Sequence, residues 1–344
     1  MVHALPLKAR LKRGVKSSLS AAALATGLYR VAASSYGGLG VVFMLHRVIE
    51  PGRPSLWPGF EIPADVLDAM LAATKRLGWE PVSIDEVERR LREGGGRGRF
   101  ACFTLDDGYA DNLELALPVF ERHAAPLCVY VNTGLVERSV FYWWGALDEL
   151  VRTRDRVDCD GRSFVAGTWA EKRAAYDALN ELCYERGPDF ARALLDDHGV
   201  DARALLDRDV LTPERVCALA GSALATVGAH GISHEKLQPM GDADARREIA
   251  EPRRILEGWT GRPVRHLAYP FGARGACGPR EFRFAAEAGY ATAVTTRRGN
   301  LFREHREHVT CLPRREIPLD EVTLRNALSG VETLLSRAPK VQTT

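Results

Sequence analysis

The sequence predicts an α/β protein whose parallel sheet closes, or nearly closes, into a barrel. Three observations carry that expectation. Short apolar runs of strand length recur at residues 41–45, 100–105, 127–131, 224–227, 264–269 and 291–295. Stretches with helical spacing fall between them, at 64–77, from Ser83 onward, up to Phe120, at 244–257 and at 279–288. Strands that alternate with helices pair in parallel. That many units over about 290 residues, without an internal repeat, favours a closed sheet.

Several of these strands end in reactive side chains. The run from Phe100 to Leu105 stops at Asp106-Asp107-Gly108-Tyr109. Side chains alternate faces along a strand, so adjacent carboxylates share one site only where the strand breaks. Gly108 supplies the backbone freedom for that break, and Asp111 and Asn112 suit the opening of a helix. Taken alone, the pair also fits a turn whose aspartates merely cap that helix. The strand at 41–45 ends at His46-Arg47, and that at 224–227 leads into His230-Gly231-Ile232-Ser233-His234. The i, i+4 spacing lets both imidazoles converge if the turn is helical. Two histidines and one carboxylate are a common catalytic zinc set with a position left for water. A cation so held acidifies that water and polarises a carbonyl.

The 46% hydrophobic content of the 344 residues provides ample core. A net charge of +2 argues neither for nucleic acid nor for an acidic substrate as the main partner, and no nucleic acid is expected. Seven widely spaced cysteines, an odd number without a C-x-x-C pair, point to buried free thiols in a reduced compartment. The expected location is therefore cytoplasmic, at the inner face of a membrane if the N-terminal arm touches lipid; secretion is the weaker reading. In that arm, residues 1–36, Leu7, Leu11, Val15 and Leu19 recur every four residues among Lys8, Arg10, Lys12, Arg13 and Lys16. A basic amphipathic helix, a peripheral membrane contact through residues 1–30, fits best; a signal peptide and an ordinary packing arm are the alternatives. Residues 37–336 form the barrel, with a charged helical insertion at about 141–211 opened by Trp143 and Trp144. Residues 337–344 form a tail. The twin tryptophans fit packing first and a sugar platform second.

Together these residues carry a resemblance. Phe103-Thr104-Leu105-Asp106-Asp107-Gly108 resembles the T-F-D-D-G motif of the polysaccharide deacetylases, the NodB-homology or carbohydrate esterase family 4 group. His230 to His234 resembles that family's H-(S/T)-x-x-H motif, with Gly231 in the hydroxyl position. Ala268-Tyr269-Pro270-Phe271-Gly272 is similar to its third motif, and Leu45-His46-Arg47-Val48 to the Y-H-R-V segment of the exopolysaccharide branch. The match runs in order from about residue 41 to residue 318.

The resemblance implies an irregular (β/α)7–8 barrel, NodB-like, with the site at the carboxyl ends of its strands. It implies that Asp107, His230 and His234 bind one divalent metal ion, Zn2+ by default, although cobalt, nickel or manganese suits the same donors. Asp106 is then the general base. The N–H of Phe271 stabilises the oxyanion, and Tyr109 and Pro270 are further substrate contacts. Two departures matter. Ala268 stands where the family usually has an arginine, so Arg265 or, preferably, Arg314 in Leu312-Pro313-Arg314 steadies the base. The late leucine-x-histidine motif is absent; likeness to the exopolysaccharide branch implies that the early histidine, here His46, takes the acid role, with a core histidine bonded to backbone as the alternative. His305 and His308 are expected in solvent, His266 in packing, and His3, His123 and His198 at the surface. The implied activity is N-deacetylation of an amino-sugar glycan or lipid-linked oligosaccharide in a cell-surface or exopolysaccharide pathway. A catalytically degenerate glycan-binding barrel and a metal phosphoesterase are the rival readings.

Overall fold

The computed structural model describes residues 27–57, 59–95, 98–336 and 339–343. Seven parallel strands close into a barrel in chain order: β1 (Gly40–Leu45), β2 (Arg99–Asp107), β3 (Leu127–Val131), β4 (Ala225–Ala229), β5 (His266–Ala268), β6 (Thr292–Arg298) and β7 (Leu312–Glu316). β1 completes the circle by pairing with both β7 and β2. The ring is irregular. The short strand Trp79–Pro81 pairs with the first residues of β2, and β3 takes the same edge only from Thr104 onward. β4 and β5 share the single register pair Ala229–Leu267, and the β6–β7 register shifts between Val294 and Arg298.

Strand alternation sorts the core into two sets. Val42, Phe100, Cys102, Cys128, Tyr130, Ala268, Val294 and Leu312 pack together inside the barrel. Val41, Phe43, Phe103, Leu105, Val129 and Leu267 face outward into the larger cluster shared with the surrounding helices. The helix Ile84–Arg92 closes the amino end of the barrel with Ile84, Val87 and Leu91. Its start follows the expected capping geometry, the Ser83 hydroxyl accepting from the Glu86 N–H at 3.1 Å. With the lumen filled below, only the carboxyl ends of the strands leave room for a ligand.

The insertion has its own core, formed by the helices Trp143–Thr153, Trp169–Arg186 and Pro188–Asp197. A fourth helix, Ala202–Asp209, follows. An antiparallel hairpin, Arg156–Cys159 with Arg162–Val165, stands where the charge pattern predicted helix. Its signal is Asp160-Gly161, a two-residue turn with both φ positive, at 53° and 69°.

Residues 1–26 lie outside the described part, and with them most of the expected basic arm, His3 included. The helix Leu28–Tyr36 packs on the C-terminal helices, where Ala32 meets Val331. Among the described residues no helix is long and apolar enough to cross a membrane. His266 packs as expected, between the Thr292 hydroxyl at 2.8 Å and Asp85 at 3.1 Å. The solvent expectation fails for His305. It is fully buried and accepts from the Phe302 N–H at 2.9 Å, and burial lowers its pKa to about 4. A charged sequence neighbourhood concealed one inward-facing ring.

Candidate active site

β2 places Phe100, Cys102, Thr104 and Asp106 on the lumen face, so alternation alone would send Asp107 outward. Asp107 instead has φ 78° and Gly108 φ 82°. The turn begins one residue before the glycine, at a non-glycine in the left-handed region, a conformation sustained by its surroundings. This returns both carboxylates to one site. Asp111 does not cap the following π-helical turn, Asn112–Ala116. Its carboxylate accepts from Arg47 Nε at 2.8 Å and from the Val48 N–H at 3.0 Å, locking the end of β1 beside that of β2.

His230 and His234 converge without a helical turn; residues 230–236 form a loop. Gly231 has φ 71° and His234 φ 54°. A Cβ at Gly231 would sit 3.1 Å from Pro270 and 3.2 Å from the Glu248 carboxylate, which accounts for glycine in the usual hydroxyl position. Buried Glu248, from the helix Asp242–Thr260, accepts from the Ile232 N–H at 2.8 Å and the Ser233 N–H at 3.0 Å. The Asn132 amide donates to the His230 carbonyl at 2.8 Å.

Asp107 Oδ1 lies 3.3 Å from His230 Nε2 and 3.1 Å from His234 Nε2. One ligand atom from each of the three lies within 4.8 Å of the others. That oxygen is buried and has no hydrogen-bond partner among the described residues. His230 Nδ1 is 2.8 Å from the Ala268 carbonyl oxygen and so carries the proton, leaving an Nε2 lone pair free. Three donors around one point, with room for a fourth, fit a divalent cation. Burial would raise the Asp107 carboxyl; His230 and His234 in their protonated forms would hold it well below the ordinary value.

Asp106 takes no part in this trio. Arg314, wholly buried on the lumen face of β7, donates Nη1 to Oδ1 and Nη2 to Oδ2, both at 2.7 Å. Its other bonds reach Thr104 Oγ1 at 3.0 Å and the Thr295 carbonyl at 3.1 Å. Burial alone would raise the Asp106 pKa; the guanidinium overrides it and holds the group ionised. Arg265 lies elsewhere, paired with Asp85 and Glu88. His46 Nε2 stands 3.9 Å from Asp106 Oδ2, and its Nδ1 is buried without a hydrogen-bond partner among the described residues. Burial lowers its pKa and favours the neutral ring.

A cavity of about 940 Å³ opens over these groups, lined by His46, Asp106, Asp107, His230, His234 and Arg314. Tyr109 and Phe271 line it too, whereas Pro270 packs against Gly231 and stays outside the lining. Phe271 has φ 61°, in the left-handed region. Trp144 donates Nε1 to the Tyr109 hydroxyl at 3.1 Å and lays its ring 5.1 Å from that of His234, while Trp143 packs behind.

Glu248 carries no motif signal, and Arg47 stands in a motif without an assigned role; its guanidinium lies 4.9 Å over the Tyr109 ring and reaches Asp111 and Asp209. Glu248→Ala is expected to weaken metal binding about 10- to 100-fold, because the Ile232 and Ser233 N–H groups would both lose the carboxylate that holds the loop. A metal titration of the variant checks this.

Fold and site together define a barrel hydrolase with three donors that could hold a metal ion and a separate, arginine-anchored carboxylate. The chain belongs to the polysaccharide deacetylase family, hydrolases of amide bonds, and the family model matches residues 94–293. No curated protein matches it. Among solved structures it resembles the Streptococcus pyogenes deacetylase PplD in complex with acetate, at 16% identity over 84% of this chain and 97% of that one, TM-score 0.56. It also resembles IcaB from Ammonifex degensii, at 17% identity over 86% and 98%, TM-score 0.56. A polysaccharide deacetylase from Bacillus cereus follows at 16% over 85% and 68%, TM-score 0.52. At such identities the likeness is one of fold.

Proposed function

We propose that this chain is a metal-dependent N-deacetylase of an amino-sugar glycan, free or lipid-linked, in a cell-surface or exopolysaccharide pathway. The observation that carries the reading is the position of Asp106, gripped by Arg314 on one side and 3.9 Å from His46 on the other, beside the Asp107–His230–His234 trio. That intact arrangement counts against a degenerate glycan-binding barrel. Membership of the deacetylase family sets the phosphoesterase reading aside.

A divalent cation, zinc by the donor set, would be held by Asp107, His230 and His234 and would supply Lewis acidity to the amide carbonyl. The protein's own groups do the rest. Asp106, kept ionised by Arg314, takes a proton from the attacking water as its oxygen bonds to the carbonyl carbon. The Phe271 N–H faces the oxygen on which charge develops. The proton passes from Asp106 Oδ2 to His46 Nε2, and His46 delivers it to the sugar nitrogen as the C–N bond breaks. Acetate and a free amine leave. Tyr109 keeps its hydroxyl proton, since burial raises its pKa well above the ordinary value, and offers a hydrogen bond at the cavity floor.

The seven cysteines are free thiols, six of them buried, which supports a reduced, cytoplasmic setting. Contact of residues 1–30 with the inner membrane face belongs to the same proposal.

The test is mass spectrometry of acetylated glucosamine oligomers after incubation with metal-loaded protein; loss of acetyl groups is expected, and its absence would end the reading. His230→Ala should lose the ion by elemental analysis, and undiminished metal content would refute the ligand set. His46→Ala is expected to lower kcat about 10²- to 10⁴-fold with KM little changed. An unchanged rate would return His46 to a packing role.

A further inference from the structure

The walls of the cavity differ around its rim. On one side aromatic rings run from the acid to the metal site. Phe60 lies 4.5 Å from the His46 ring and 5.7 Å from Trp57, and Trp57 lies 5.2 Å from Tyr176. Just over two turns along the same helix, Tyr184 stands 6.2 Å from Phe271, which is 5.3 Å from His234. Between the two tyrosines, Asn180 accepts from the Tyr176 hydroxyl at 3.3 Å and also lines the cavity.

The wall is anchored. Arg173 donates to the Ser55 carbonyl at 2.9 Å, and Arg152 donates to the Pro54 carbonyl at 2.8 Å and to Glu61 at 3.0 Å. Leu56 is buried in the core of the insertion. The loop after β1 is thus fastened to the insertion by these bonds and by the burial of Leu56. The rest of the rim is different: Thr296, Arg298 and Glu316, from the ends of β6 and β7, line it, and Lys236 stands 5.5 Å over the Phe271 ring where the wall ends. These side chains are polar, and Arg298 and Glu316 form an exposed pair at 2.8 Å.

A polymer threaded past a reactive centre needs openings on two opposed sides. Here a continuous wall occupies one of them. We infer that the cavity takes the end of a glycan chain, a single terminal amino sugar, and that the rest of the chain leaves over the polar rim of Arg298, Glu316 and Lys236. Exposed rings at the two ends of the wall, Phe60 at 45% and Tyr184 at 52%, offer apolar faces for that sugar. This deepens the deacetylase reading and rests on it for the reaction, though not for the binding.

Pentamers of β-1,4- and β-1,6-linked N-acetylglucosamine, labelled at the reducing end, distinguish the two. After incubation with the metal-loaded full chain, tandem mass spectrometry locates the free amine. Confinement to one terminal sugar is expected; free amines at interior sugars at comparable rates would overturn the inference. In parallel, saturation-transfer NMR on the Asp106→Asn variant reads contact sugar by sugar without turnover. The strongest transfer should fall on one terminal sugar, and an even spread, a central maximum or no transfer to either pentamer would overturn the inference. Terminal transfer without acetate release from wild type would instead overturn deacetylation and leave chain-end binding standing.

Discussion

Asp106→Asn is expected to lower acetate release by about a thousandfold or more while metal content stays at the wild-type level. A positioned general base contributes roughly 10²- to 10⁴-fold, and an amide cannot accept the proton of the attacking water. The proposed ligands are untouched, because Asp106 lies outside the trio of Asp107, His230 and His234. The amide also cannot satisfy Arg314, whose Nη1 and Nη2 now donate to the two carboxylate oxygens. One N–H would face another, at a cost of about 1–3 kcal/mol for a buried donor left unpaired. Elemental analysis beside a steady-state acetate assay reads both quantities. Turnover near wild type would remove Asp106 from the mechanism, and metal loss would mean that it shares in holding the ion.

What was legible in the sequence was whatever a short stretch of chain decides. The β3 run Leu127–Val131 falls on its observed bounds, because a buried parallel strand is a continuous apolar segment bounded by polar turns. The acidic pair, both histidines and His46 were visible for the same reason, each sitting at the end of such a run. The means of convergence were not legible. The spacing of His230 and His234 allowed a helical turn, but Gly231 and His234 bend the chain as a loop braced by Glu248, more than a dozen residues further on. Asp111 looked like a helix cap, yet it serves Arg47 and Val48, 64 and 63 positions earlier. The motif reading favours Arg314 over Arg265, but its two-pronged bond to Asp106 exists only because the barrel closes and sets β7 near β2. Long-range partners of this kind leave no periodic trace in the sequence. The aromatic wall is intermediate: Tyr176, Asn180 and Tyr184 share a helix face, but charged residues around them conceal what that face looks toward.

Arg314→Met should cost stability on a scale few other substitutions in this chain reach. The guanidinium and its carboxylate are both buried, and removing one partner leaves the other as an uncompensated charge, typically at about 3–5 kcal/mol. Methionine fills much of the volume, so the loss reports on charge and hydrogen bonding more than on a cavity. Arg314→Lys keeps the charge but replaces a two-pronged donor with a point charge, and should recover only part of the loss. The decisive comparison is the double variant with Asp106→Asn. If the pair is held by mutual need, the second change should restore much of the stability that Arg314→Met alone removes, giving a coupling of about 1–3 kcal/mol in urea unfolding. Activity should not return, because the base is gone. Additive losses would mean that Arg314 acts mainly through Thr104 and the Thr295 carbonyl, bracing β7 against β2 and β6 rather than preparing Asp106 for its proton.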